Sequence, residues 1–94
     1  MGVIKMKSII TVIGEDKVGI IAGVTNELSK RNVNVLDISQ TIIQGYFTMI
    51  MLVDLEKSEV SLKDLKEILN KKGEELQVSI RIQHEDVFNS MHRI

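Results

Sequence analysis

The chain of 94 residues contains no cysteine. Disulfides, thiolate metal sites, iron–sulfur clusters and cysteine nucleophiles are therefore excluded. Proline and tryptophan are absent too. Aromatic residues make up 3% of the chain, which fits a base-stacking surface poorly. There is no excess charge of either sign: 12 Lys and Arg face 13 Asp and Glu, for a formal net charge of −1. Such a chain has no broad attraction for nucleic acid or anionic lipid. No apolar run approaches the roughly 18–20 residues that a membrane helix requires. Met1-Gly2-Val3-Ile4-Lys5 is too short and too polar for a signal peptide. The expected compartment is the cytoplasm, and the absence of cysteine agrees with that.

What the chain does have is aliphatic bulk, with hydrophobic residues at 44%. Its length suits one domain, residues 1–94, with a single core. Met6 to Ile13 is β-branched and apolar and reads as a first strand. Gly14-Glu15-Asp16-Lys17-Val18-Gly19 follows as a loop. From Val18 to Arg31 a helix is expected, because Ile20, Ile21, Val24 and Leu28 recur at helical spacing. Gly23 inside it costs about 1 kcal/mol relative to alanine, which points to close packing against a sheet. Asn32 or Asn34 ends this helix.

Val33 to Ile43 and Tyr46 to Leu55 read as two strands joined by a hairpin turn at Gln44-Gly45. Ser61 and Asp64 open a second helix with the apolar stripe Leu62, Leu65, Ile68 and Leu69, and Lys71-Lys72-Gly73 closes it. Leu76, Val78, Ile80 and Ile82 alternate with polar residues as a last strand. The tail 84–94 carries Val87, Phe88 and Met91, spaced to dock on the domain or on a dimer partner. The order βαββαβ predicts an α+β ferredoxin-like sandwich, an antiparallel sheet of order 4-1-3-2 with both helices on one face.

Helices on one face leave the other face to be polar in a monomer. The third strand does not oblige. One side carries Phe47, Met49, Met51 and Val53, the other Tyr46, Thr48, Ile50 and Leu52. The excess apolar surface predicts a homodimer, and the edge strands offer a second route to pairing.

The loop after the first strand opens a helix, where free N–H groups attract anions. Glu15 and Asp16 beside the single Lys17 discourage phosphate and suit a zwitterion: the helix N–H groups take a carboxylate and Asp16 an ammonium. Alternatively, Asp16 only caps the helix and Gly19 only permits close packing. Asn34 lies at the opposite end of the sheet and could join Asp16 only across a two-fold interface. Asp37, Ser39 and Thr41 share a face of the second strand, where they line a site or protect an edge. His84 and His92, without a third firm ligand, make no metal site. No Ser-His-Asp set, phosphate loop or dinucleotide fingerprint is present, so no enzyme, cofactor or metal is expected.

Gly14 to Ile21, followed by Asn32-Val33-Asn34-Val35, resembles the ACT domain, a small-molecule-sensing regulatory module. Asp37-Ile38-Ser39-Gln40-Thr41, Tyr46-Phe47-Thr48-Met49 and the ending Phe88-Asn89-Ser90-Met91-His92-Arg93-Ile94 resemble stand-alone bacterial and archaeal single-ACT proteins. Those are related to the ACT modules of the glycine-cleavage-system repressor. The resemblance implies binding of an amino acid or other small metabolite at a dimer interface, read by a regulatory protein partner. The corresponding positions here are Asp16, Lys17, Val18, Gly19 and Ile20, with Asn34 from the neighbouring subunit. Serine-sensing relatives carry His and Asn in the loop where this chain has Gly14 and Asp16, which turns the expectation away from serine. The alternative function is a protein-interaction or structural dimerisation module with no small-molecule ligand.

Overall fold

The computed structural model describes residues 7–15 and 17–85. Strand β1 (Lys7–Glu15) leads to α1 (Ile20–Lys30), β2 (Asn34–Ile43), β3 (Tyr46–Asp54), α2 (Leu62–Leu76) and β4 (Val78–His84). All strand pairs are antiparallel, in the order β2-β3-β1-β4, with β1 and β3 central. This is the ferredoxin-like topology expected from the sequence. The tail beyond Glu85, with Val87, Phe88 and Met91, lies outside the described residues.

Strand register explains burial. On β1, Ile10 and Val12 lie opposite Met51 and Met49 of β3, and all four are fully buried. Ile80 and Ile82 of β4 continue the same row. Ile20, Val24 and Leu28 from α1 and Leu65 and Leu69 from α2 close over it. The expected division of β3 holds: Phe47, Met49, Met51 and Val53 face the helices, while Tyr46 and Ile50 are 59% and 40% exposed on the other face. Gln44 and Gly45 both have positive φ, 50° and 82°, as the tight turn joining β2 to β3 requires. Leu36 interrupts the β2 register as a bulge between Val35 and Asp37, which no local residue pattern signals.

Three glycines act differently from expectation. Gly14 belongs to β1 and pairs with both Phe47 and Val78, so the loop begins later. Gly23 packs against Leu76 of α2, not against the sheet. Gly73 does not end α2. The helix runs on to Leu76 and is closed by Gln77 in the left-handed conformation. A Cβ on Gly73 would lie 2.7 Å from the Val78 carbonyl oxygen, so glycine lets the returning chain pass beneath the helix. Ser61 caps α2 as expected, accepting from the Asp64 N–H at 3.1 Å.

The two helices are joined by an ionic clasp. Glu27, which is 9% exposed, receives Arg31 Nη1 at 2.6 Å and Lys72 Nζ at 3.2 Å. Burial pushes its carboxyl pKa up, but hydrogen bonds and positive charge from Lys72 and Arg31 outweigh this, and it sits below its ordinary 4.5. A lowered folded-state pKa stabilises the fold above the unfolded value, and this stability is lost as pH falls through the folded value. Glu27→Gln should lower stability by about 1–3 kcal/mol at neutral pH by leaving charged donors underused. Urea unfolding across pH should show the difference from the parent shrinking below pH 4.5. A difference that stays constant into acid would mean that the clasp contributes nothing ionic.

Candidate functional site

The end of β1, the start of α1, the end of α2 and the start of β4 meet at one end of the sheet, through the pairs Glu15↔Tyr46 and Gly14↔Val78. Lys17, Val18, Gly19 and Ile20 are grouped here. Ile20 is 2% exposed and anchors the helix start in the core. Val18 projects wholly into solvent. Lys17 Nζ donates to Gln77 Oε1, tying the loop to the end of α2. That bond was not visible in the sequence, since its partners stand 60 positions apart. Asp16 lies outside the described residues.

Gly19 is the N-cap of α1, with φ 93° and no side-chain cap. The first helical bond runs from Gly23 N–H to the Gly19 carbonyl at 2.8 Å. The N–H groups of Ile20, Ile21 and Ala22 precede it and have no acceptor within the helix. They give this end a partial positive charge. A Cβ on Gly19 would meet nothing within 4 Å. The residue therefore serves its left-handed backbone, and the alternative reading, that it permits close packing, does not hold.

Asn34 is at the far end, paired with Asp54. Eight steps along β3, at 3.3 Å each, separate that pair from Glu15↔Tyr46 by roughly 26 Å. Asn34 borders an open cleft of about 660 Å³ with Thr25, Ser29, Asp54 and Lys57. Within it, Asp54 Oδ1 accepts the Glu56 N–H at 2.9 Å and Asn32 Nδ2 donates to the Lys57 carbonyl at 3.0 Å. One chain thus holds the loop residues together and keeps Asn34 away from them. Asp37, Ser39 and Thr41 lie on the helix-free face, opposite Leu52, Ile50 and Thr48.

Among the described residues, no three His, Asp or Glu side chains come together as a metal ion would require, and no helix is long and apolar enough to cross a membrane. A model of the ACT domain matches residues 8–83. The chain belongs to the ACT domain family. This ACT domain is 62% identical over 89 residues to a UPF0237 protein of Clostridium acetobutylicum, covering 95% of this chain and all of that one. The structure of an ACT domain protein from Streptococcus pneumoniae superposes with a TM-score of 0.78 at 40% identity, covering 88% of this chain and 93% of that one. A protein assigned as a glycine cleavage system transcriptional repressor shares the fold at 19% identity and a TM-score of 0.71, over 86% of this chain and 46% of its own. ACT domains are typically ligand-binding and regulatory.

Gly19→Ala should cost about 1–2 kcal/mol in thermal or urea unfolding, because alanine resists the left-handed region even in open space. An unchanged midpoint would show that the loop adopts another backbone in solution.

Proposed function

We propose that this ACT domain binds a small zwitterion, an amino acid, between two copies of the chain, and performs no catalysis of its own. The observation that carries this reading is the placement of Lys17–Ile20 and Asn34 at opposite ends of α1. Two chains paired about a two-fold axis with α1 helices antiparallel would bring the loop of each to the Asn34 cleft of the other. The exposed side of α1 suits such an approach, since Ala22, Thr25, Asn26 and Ser29 are small. In this arrangement the N–H groups of α1 receive the ligand carboxylate, Asp16 receives its ammonium, and Asn34 of the other chain supplies an amide. Contacts shared by two chains favour one dimer arrangement, and a regulatory partner in the cytoplasm reads it. The whole chain, residues 1–94, forms the domain in this reading, with the tail 84–94 packed on the domain or on the dimer partner.

The helix-free sheet face favours a second reading. Ile13, Ile43 and Tyr46 are 49%, 61% and 59% exposed at one end of that face, an apolar patch suited to a protein partner. The chain would then be an interaction or dimerisation module without a ligand. Thermal-shift and calorimetric screening against the amino acids at millimolar concentration separates the two. The zwitterion reading expects at least one to raise the melting temperature, by about 2.7 kcal/mol of stabilisation at a hundredfold excess over Kd. Asp16→Ala should abolish that effect. No stabilisation by any amino acid would contradict this reading and leave the interaction module.

A further inference from the structure

We propose that the sheet face away from the helices pairs with the same face of a second copy, about a two-fold axis that runs along the strands between β1 and β3. This names the partner of the apolar face in the second reading above. It rests on that face alone and holds whether or not an amino acid binds at the α1 loop.

Register sets this face out in rows. The middle row, read across β2, β3, β1 and β4, is Ser39, Ile50, Thr11 and Arg81. The next row towards the α1 loop is Thr41, Thr48, Ile13 and Ser79. The next row the other way begins with Asp37 and Leu52. Ile13 and Ile50 stand on the two central strands, yet they are 49% and 40% exposed.

A rotation about an axis along the strands keeps each row at its own height and exchanges β1 with β3 and β2 with β4. Size then matches. Ile50 of one copy comes over Thr11 of the other, and Ile13 over Thr48. Larger side chains meet smaller ones, as in two interdigitating sheets about 10 Å apart.

Charge matches as well. The ionisable side chains on this face, among the described residues, are Lys7, Glu15, Asp37, Tyr46, Asp54 and Arg81. Lys7 and Asp54 stand opposite each other within one chain and balance locally. Glu15 comes over Tyr46, whose hydroxyl can donate to it. Arg81 makes no ion pair among the described residues. The rotation carries it over Ser39 of the second copy, one row from Asp37. Asp37 Oδ1 accepts the Ile38 N–H at 2.9 Å, which leaves Oδ2 for the guanidinium. Symmetry forms this pair twice, once at each edge. A two-fold axis across the strands at the middle row would bring Glu15 to Lys7 but set Arg81 against Arg81.

The area suffices. Four strands about 4.8 Å apart and eight steps of about 3.3 Å give the face an outline of roughly 500 Å². Two copies then cover about 1,000 Å² before side-chain relief is added, which is where specific interfaces begin.

Sedimentation equilibrium on the full chain follows the association, and amide shifts on dilution locate it. Expected are concentration-dependent shifts centred on Thr11, Ile13 and Ile50. Arg81→Asp and Asp37→Arg should each weaken this association at least tenfold by placing like charges together. An equal mixture of the two variants should restore it, since each supplies the charge that the other needs. The two positions lie on opposite edges, three strand spacings or about 14 Å apart within one chain, so neither misfolding nor an internal contact produces that recovery. The proposal is overturned by a mixture that associates no better than either variant, by shifts confined to α1, or by face amides that stay fixed up to millimolar chain. It is also overturned if nuclear Overhauser contacts in dilute chain place Phe88 against Ile50, which would give the face to the chain's own tail. The amino-acid screen above reads the α1 loop and the Asn34 cleft, which neither substitution alters, so the failure of one reading leaves the other standing.

Discussion

After β1 the chain must return to the other end of the sheet before an outer strand can start, and α1 is the element that returns it. Its 11 residues span about 16 Å, from a loop at the end of β1 to the turn that begins β2. The helix start presents N–H groups that have no acceptor within the helix, and the helix end delivers Asn34 to a polar cleft with Asp54. One copy of the chain cannot bring these two features together. The direction of α1 therefore decides whether a site joining them is intramolecular or shared.

The second consequence of this topology is uneven coverage. Both helices lie over Ile10, Val12, Met49 and Met51, and the row is sealed. The opposite face retains exposed Ile13, Ile43, Ile50 and Tyr46. The high aliphatic content thus exceeds what one helical layer covers. The two edges are also unequal, because β2 carries a bulge and β4 pairs with β1 in unbroken register. Two surfaces of different chemistry result: a loop and cleft joined by α1, and an apolar face.

Much of this was legible from residue order. Alternation in Val78 to Gln83 gave the last strand and its inward face, because one face is dry, whereas Leu76, expected on that strand, belongs to α2. Ser61 and Gln44-Gly45 marked a cap and a turn through local chemistry that needs no tertiary information. Gly73 was misread because glycine at a helix end and glycine under a crossing chain look alike in sequence. Only the Val78 carbonyl beside it distinguishes them. Glu27 and Arg31 have the spacing of a helical ion pair, but Lys72 joins them from another helix. The link between Lys17 and Gln77 depends in the same way on tertiary placement. The family resemblance drew attention to Asn34, and the fold places it at the opposite end of α1 from the loop.

The shared site is tested most directly by mixing two variants, Asp16→Ala and Asn34→Ala, each of which should fail to bind the amino acid that stabilises the parent chain. A dimer of one with the other contains one site with both residues intact and one with neither. Calorimetry on an equilibrated equal mixture should therefore recover about a quarter of the parent stoichiometry at parental affinity, as half of the dimers are then mixed. No recovery in a mixture shown to contain mixed dimers would contradict a site shared between two chains.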